Sequence, residues 1–199
     1  MKLFKSAAVV FCILYFMFPV HNALASPARD QLKTTIDKLL VILRDPGLKG
    51  KEHTEQRREA LRKVIRERFS QTKMAQLTLG RHWRKRTTQE KKQFAELFGK
   101  LLEKTYISKI EAYTDEKVTF VKEFVKKRKA QIYTKVITDT VEIPIDYRMF
   151  RKKDGTWMVY DIVIEGVSLV GNYRSQFDQS LQKGSYEDLV KDLEAKVQS

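Results

Sequence analysis

The chain has 199 residues and carries 39 Lys and Arg against 25 Asp and Glu, a formal net charge of +14 at pH 7. A surplus of that size suggests nucleic acid or an anionic membrane face as a partner. The single cysteine, Cys12, excludes an intrachain disulfide and a cluster of cysteine-ligated metal.

The N-terminus has the layout of an export signal. Lys2 and Lys5 precede an apolar run, Ala7 to Phe18, which is too short to span a membrane. Pro19 ends the run, and Ala23-Leu24-Ala25 is an A-x-A cleavage signal. Cleavage after Ala25 is expected, giving a signal peptide over 1–25 and a single domain over 26–199. The exported chain would keep 37 basic residues against 25 acids, a net charge of +12, and no cysteine. Its 174 residues suffice for one core, since a chain of this size buries about 70% of its unfolded surface. Export argues against nucleic acid. Anionic lipid attracts each nearby Lys or Arg by about 1 kcal/mol; for most of these lysines, a solvated basic surface is the simpler reading.

The first half of the domain reads as helical. Leu32, Ile36, Leu39, Leu40 and Leu43 form one apolar stripe, and Asp45-Pro46-Gly47 stops it. Leu61, Val64, Ile65 and Phe69 form a second stripe in a heavily charged segment. Met74, Leu77 and Leu79 suggest a short third helix ending near Gly80. Thr87 and Glu90 have the spacing of a capping box. It predicts a long helix with Phe94, Leu97, Phe98, Leu101, Leu102, Ile110 and Tyr113 along its buried side.

The period then changes to two. Val118 and Phe120 open the run of strands, followed by the alternating stretches from Ala130 to Val136 and from Val141 to Met149. Asp154-Gly155 marks a hairpin between Phe150 and Trp157. The strand from Trp157 to Ile164 is apolar on both faces apart from Asp161, as expected for a strand covered on both sides. Helical spacing returns in Val170, Tyr173 and Phe177, with Ser168 at the N-cap position, and again in Tyr186, Leu189, Val190 and Leu193. The expected class is α+β: about four antiparallel strands with N- and C-terminal helices over one sheet face.

Gly166-Val167-Ser168 resembles a nucleophile elbow, but the second glycine, Gly171, falls one position late and no histidine follows Ser168. A helix-capping serine is the better reading. The exported chain has only His53 and His82, with no clustered carboxylates at metal-ligand spacing and no phosphate-binding glycine loop. No metal, no cofactor and no catalytic residue are expected. Asp146 and Asp161 read as hydrogen-bonded structural acids.

The stretches LTLGRHW (77–83), FAELFGKLLEKTY (94–106) and WMVYDIVIEGVSLVGNYRSQF (157–177) resemble the MlaC family, the periplasmic phospholipid-binding proteins linked to toluene tolerance. The resemblance runs from about Asp30 to Lys196. Thr88 stands where the family often has proline and Gly171 where alanine is usual. The resemblance implies a curved sheet of NTF2-like or cystatin-like form with an apolar lipid pocket beneath its helices. It implies no enzyme but a periplasmic carrier, shuttling phospholipid between an outer-membrane lipoprotein–porin complex and an inner-membrane ABC transporter with MCE domains, and so maintaining outer-membrane lipid asymmetry. A monomer with transient membrane-surface contact is expected.

A carrier has a heavy physical demand to meet. The tails of one phospholipid hold roughly thirty methylenes, and at about 0.8 kcal/mol each their exposure to water costs on the order of 20 kcal/mol. The expected lining is Leu79, Trp83, Phe94, Phe98, Leu101, Tyr106, Tyr147, Trp157, Val159 and Val167. Two rivals are an exported enzyme of NTF2-like fold, using an acid such as Asp161, and a basic module that only bridges envelope proteins.

Overall fold

The computed structural model describes residues 25–113 and 116–198. The expected signal peptide and its cleavage motif lie outside the described residues apart from Ala25. Ser26 caps the first helix, α1 (Pro27–Arg44): its Oγ accepts the Arg29 N–H at 3.3 Å. Pro27 suits the first helical position, where a missing N–H costs nothing. Leu32, Ile36 and Leu43 of the expected stripe are buried, and Leu39 and Leu40 are half-buried.

After a 3₁₀ turn at Pro46–Leu48 comes α2 (Thr54–Arg68), which buries Leu61 and Val64. Three of its arginines clamp it to α4 (Thr88–Glu111). Arg57 and Arg58 converge on Glu111 at 3.0 and 2.8 Å, and Arg62 reaches Glu103 at 2.6 Å. Burial raises the Glu111 pKa, but the two guanidiniums outweigh it and hold the carboxyl below the ordinary range.

Between these helices lies α3 (Gln71–Leu79), capped by Ser70. Gly80 follows at φ +53°, where a Cβ would also meet the Arg174 guanidinium at 3.1 Å, so a side chain there is doubly disfavoured. A 3₁₀ turn, Gly80–Lys85, leads to α4. The expected capping box is formed: Glu90 N–H donates to Thr87 Oγ1 at 3.2 Å, and Thr87 N–H to Glu90 Oε2 at 2.6 Å.

The strands follow as β1 (Lys117–Lys126), β2 (Lys129–Ile137), β3 (Glu142–Arg151), β4 (Trp157–Ile164) and β5 (Val167–Ser168). They pair antiparallel in sequence order, as a meander. The fifth strand, two residues long, extends the expected four. Two helices end the chain, α5 (Leu169–Lys183) and α6 (Tyr186–Gln198). The α+β class with helices over the sheet is therefore the observed architecture.

Among the described residues, buried apolar side chains fall into three clusters. The helical cluster joins α3, α4, α5 and α6 through Leu79, Trp83, Phe94, Phe98, Phe177 and Leu193. The sheet cluster sets Ala28, Leu32 and Ile36 of α1 on Ala130, Ile132, Met149, Trp157 and Val159. The third is small: Leu43, Leu61 and Ile107, with Ile110 and Tyr113 packed beside it. Their separation matters, because one domain usually has one contiguous core.

Candidate functional site

α1 runs the length of the sheet's inner face. At its start, the Ser26 N–H donates to Glu123 Oε1 at 3.0 Å; at its end, Arg44 Nη2 donates to the Glu116 carbonyl at 3.1 Å. These bonds tie the helix to both ends of β1, so whatever points inward between them lies under α1.

Register identifies those inward residues. Val118, Val136 and Ile143 align across β1 to β3, as do Phe120, Thr134 and Ile145, with Ile164 beyond. The next rows are Ile132, Tyr147 and Ile162, then Ala130, Met149 and Val159. Under the first half of α1 the face is sealed: Ile132, Met149 and Val159 are fully buried, and Trp157 almost so. Val118, Phe120, Tyr147 and Ile162 are half-buried and pack on the sheet cluster, Phe120 with the Arg29 guanidinium 5.4 Å over its ring, while under the second half Ile143, Ile145 and Ile164 keep accessible surface. Only β2 stays buried there, at Thr134 and Val136, with Thr134 donating its hydroxyl to the Ile145 carbonyl at 2.6 Å. Ile143, Ile145 and Ile164 pack on none of the three clusters among the described residues, so α1 does not close on the sheet there. The sheet cluster and the third cluster flank that gap.

Tyr147 marks its depth. Loss of solvation pushes its phenol far above the ordinary range, with Tyr113 of the third cluster as a nearby electrostatic neighbour. Yet the residue keeps accessible surface, and no hydrogen-bond partner for its hydroxyl is found among the described residues. Tyr147 also packs on the sheet cluster, so it stands where the packed half gives way to the accessible one. Tyr106 of α4 is also half-buried, and desolvation raises its phenol too. On the outside of α1, an open concavity of about 450 Å³ is lined by Asp37, Leu40, Val41, Arg44 and Asp45. Leu40 also packs on the sheet cluster, so it borders both.

The ten expected lining residues divide between regions. Leu79, Trp83, Phe94, Phe98 and Leu101 sit in the helical cluster, with Tyr106 packed against it. Phe94 and Phe98 stack on each other at 6.3 Å, and both meet the Phe177 ring edge-on at 5.8 Å. Trp157 and Val159 are sealed under the first half of α1, while Tyr147 borders the open half. Val167, on the edge strand β5, is 60% exposed. Ile143, Ile145 and Ile164 of the open half are not among the ten expected residues. Their signal was available in the alternation of Ile143, Ile145 and Tyr147, which places them on one face.

The region around Ser168 has a structural role. Its Oγ accepts the Gly171 N–H at 2.9 Å and donates to Asp161 Oδ2 at 2.7 Å. Buried Asp161 also takes the Val170 N–H at 2.9 Å and Arg148 at 2.9 Å. These bonds dock α5 on the sheet and use the carboxylate fully. His82 pairs with Asp178 at 3.2 Å and His53 lies beside Glu52, so neither is bonded to Ser168. A Cβ at Gly171 would press on Ser168 Oγ at 3.0 Å, a local reason for glycine at that position. No group of three metal-ligating side chains occurs among the described residues, and none of their helices is long and apolar enough to cross a membrane.

Comparison with known proteins gives a consistent picture. A solved structure of a phospholipid-binding protein from Ralstonia solanacearum, in complex with a phospholipid, superimposes with a TM-score of 0.79 at 25% identity. The match covers 86% of this chain and 97% of that one. A comparison with curated protein sequences finds no match. The model of the MlaC protein family matches residues 33–195, most of the chain, and the protein belongs to that family.

Proposed function

We propose that the protein is a periplasmic phospholipid carrier whose acyl chains lie against the open half of the inner sheet face. The observation that supports this reading is the row of apolar side chains, Ile143, Ile145, Tyr147, Ile162 and Ile164, accessible beneath a helix. Such a surface is costly in water and needs an apolar occupant. The similar Ralstonia protein, in complex with a phospholipid, supplies the class of that occupant. In this reading Tyr113, just past the end of α4, flanks the tails, and the headgroup stays near solvent beside Arg44 and the concavity at Leu40.

No reaction is required. The protein would take lipid from one membrane complex and yield it to another, with the outer-membrane lipoprotein–porin complex and the MCE-domain ABC transporter as the two ends. Because exposing the tails costs on the order of 20 kcal/mol, unaided release is very slow, and delivery needs a partner that opens the gap. Native mass spectrometry of the protein after gentle purification tests the binding. One phospholipid mass per chain is expected, and a uniformly lipid-free protein would contradict the reading. A transfer assay between vesicles bearing the two complexes tests the shuttle, which fails if either complex is dispensable.

A further inference from the structure

The outer sheet face has a different chemistry at the hairpin end. Register puts Lys126, Lys129, Phe150 and Met158 in one row there, and Phe124, Gln131 and Arg148 in the next. Tyr160 adds its ring to Phe150 at 6.3 Å. Phe124 is 61% exposed.

Two turns project beside this face, and they are locked together. Arg128 donates from Nε and Nη2 to the Arg151 carbonyl at 3.0 and 2.7 Å, and the Arg151 N–H donates back to the Arg128 carbonyl at 2.9 Å. The pair of turns brings together Lys126, Lys127, Arg128, Lys129, Arg151, Lys152 and Lys153 against one acid, Asp154. That acid is engaged locally, by the Thr156 N–H at 2.9 Å and Lys152 at 3.1 Å. Lys127 also sits at φ +56°, a turn conformation that glycine adopts without strain. A cation is held where a relaxed residue would serve the fold better.

A merely solvated basic surface explains lysines, but not a largely exposed phenylalanine among them with almost no acids nearby. We propose that these two turns, with Phe124, dock the protein on the surface of an anionic phospholipid bilayer. The cations meet phosphate groups while the Phe124 side chain enters the interfacial layer. They stand on projecting turns, not in a cleft, and so suit a fluid surface that supplies charge without fixed shape. The site lies on the opposite sheet face from the proposed lipid gap and does not depend on lipid being there.

Vesicle flotation with the purified protein tests this. Phosphatidylcholine vesicles are compared with phosphatidylcholine–phosphatidylglycerol vesicles, at low and high salt. The protein is expected to float with the anionic vesicles alone, and less at high salt. Each cation contributes about fivefold, so Lys127→Ser, Lys152→Ser and Lys153→Ser together weaken binding about 100-fold without changing the melting temperature. Phe124→Ser weakens it about tenfold and leaves the salt dependence unchanged. Equal flotation with both vesicle types, flotation with neither, or parental binding by the triple variant overturns the proposal. If no vesicle is bound but the triple variant delivers lipid more slowly to a membrane complex, the turns contact protein and the bilayer reading falls. A protein that floats normally yet never carries lipid would instead contradict the proposed function alone.

Discussion

The two halves of the inner sheet face are built from the same residue types and covered by the same helix, yet only one is closed. Under the first half of α1, Ala28, Leu32 and Ile36 meet Ile132, Met149, Trp157 and Val159 with almost no accessible surface. Under the second half, Leu43 turns instead to Leu61 and Ile107, while Ile143, Ile145 and Ile164 keep theirs. Apolar composition alone therefore does not distinguish a closed face from an accessible one. The difference is where the covering helix finds its partners: on the sheet at one end, on α2 and α4 at the other.

Substitutions should expose that difference, and their effects on stability can be ranked. Met149→Asp places an unpaired charge in the sealed half and is expected to cost more than about 4 kcal/mol, enough to prevent folding. A soluble, cooperatively melting Met149→Asp protein would show that this half is not closed. Asp161→Ala is next. It leaves Arg148, the Ser168 hydroxyl and the Val170 N–H without their acceptor, at a cost of about 3 kcal/mol by chemical denaturation. Because Asp161 anchors α5 on the outer face, bound lipid should persist in the fraction that folds. Loss of lipid ahead of stability would place the gap elsewhere.

Tyr147 gives a pH signature. Its folded-state pKa lies above the ordinary value of 10.0 because burial disfavours the phenolate. The folded protein therefore holds this proton more tightly than the unfolded chain. The associated stability is complete below pH 10.0 and falls as pH rises past it. Tyr147→Phe should make the alkaline loss shallower, measured as urea midpoints against pH. It should leave neutral stability within about 1 kcal/mol, since no protein partner is lost. The smallest effect on stability is expected for Ile145→Glu in the open half, under about 1 kcal/mol, because the carboxylate can be reached by water. Its effect on cargo should be large: the purified variant carries no phospholipid. Full lipid occupancy in that variant would remove Ile145 from the lining.

Much of the fold was legible because its signals are local. The Thr87–Glu90 box, the Ser168 cap and the Asp154-Gly155 hairpin each depend on a few neighbouring residues, and each is present. The lining was less legible. Phe94 and Phe98 stand on the expected buried side of α4, and Tyr173, Phe177 and Tyr186 come from distant sequence to pack against them. The period of two grouped Ile143, Ile145 and Tyr147 without saying whether their cover would touch them. Irregular register hid the rest. An extra residue in β4, between Asp161 and Val159, shifts its phase against β3. Trp157 and Val159 thereby face α1 while Asp161 meets α5, and one alternating burial pattern serves two faces. This is why the strand reads as apolar on both sides.

Site-specific photocrosslinking compares the open interior with the packed one directly. Replacing Tyr147 by p-benzoylphenylalanine and irradiating the lipid-loaded protein should add the mass of one phospholipid to the chain, whereas the same residue in place of Phe98, inside the helical cluster, should add none. Crosslinking of lipid at Phe98 and not at Tyr147 would contradict the account.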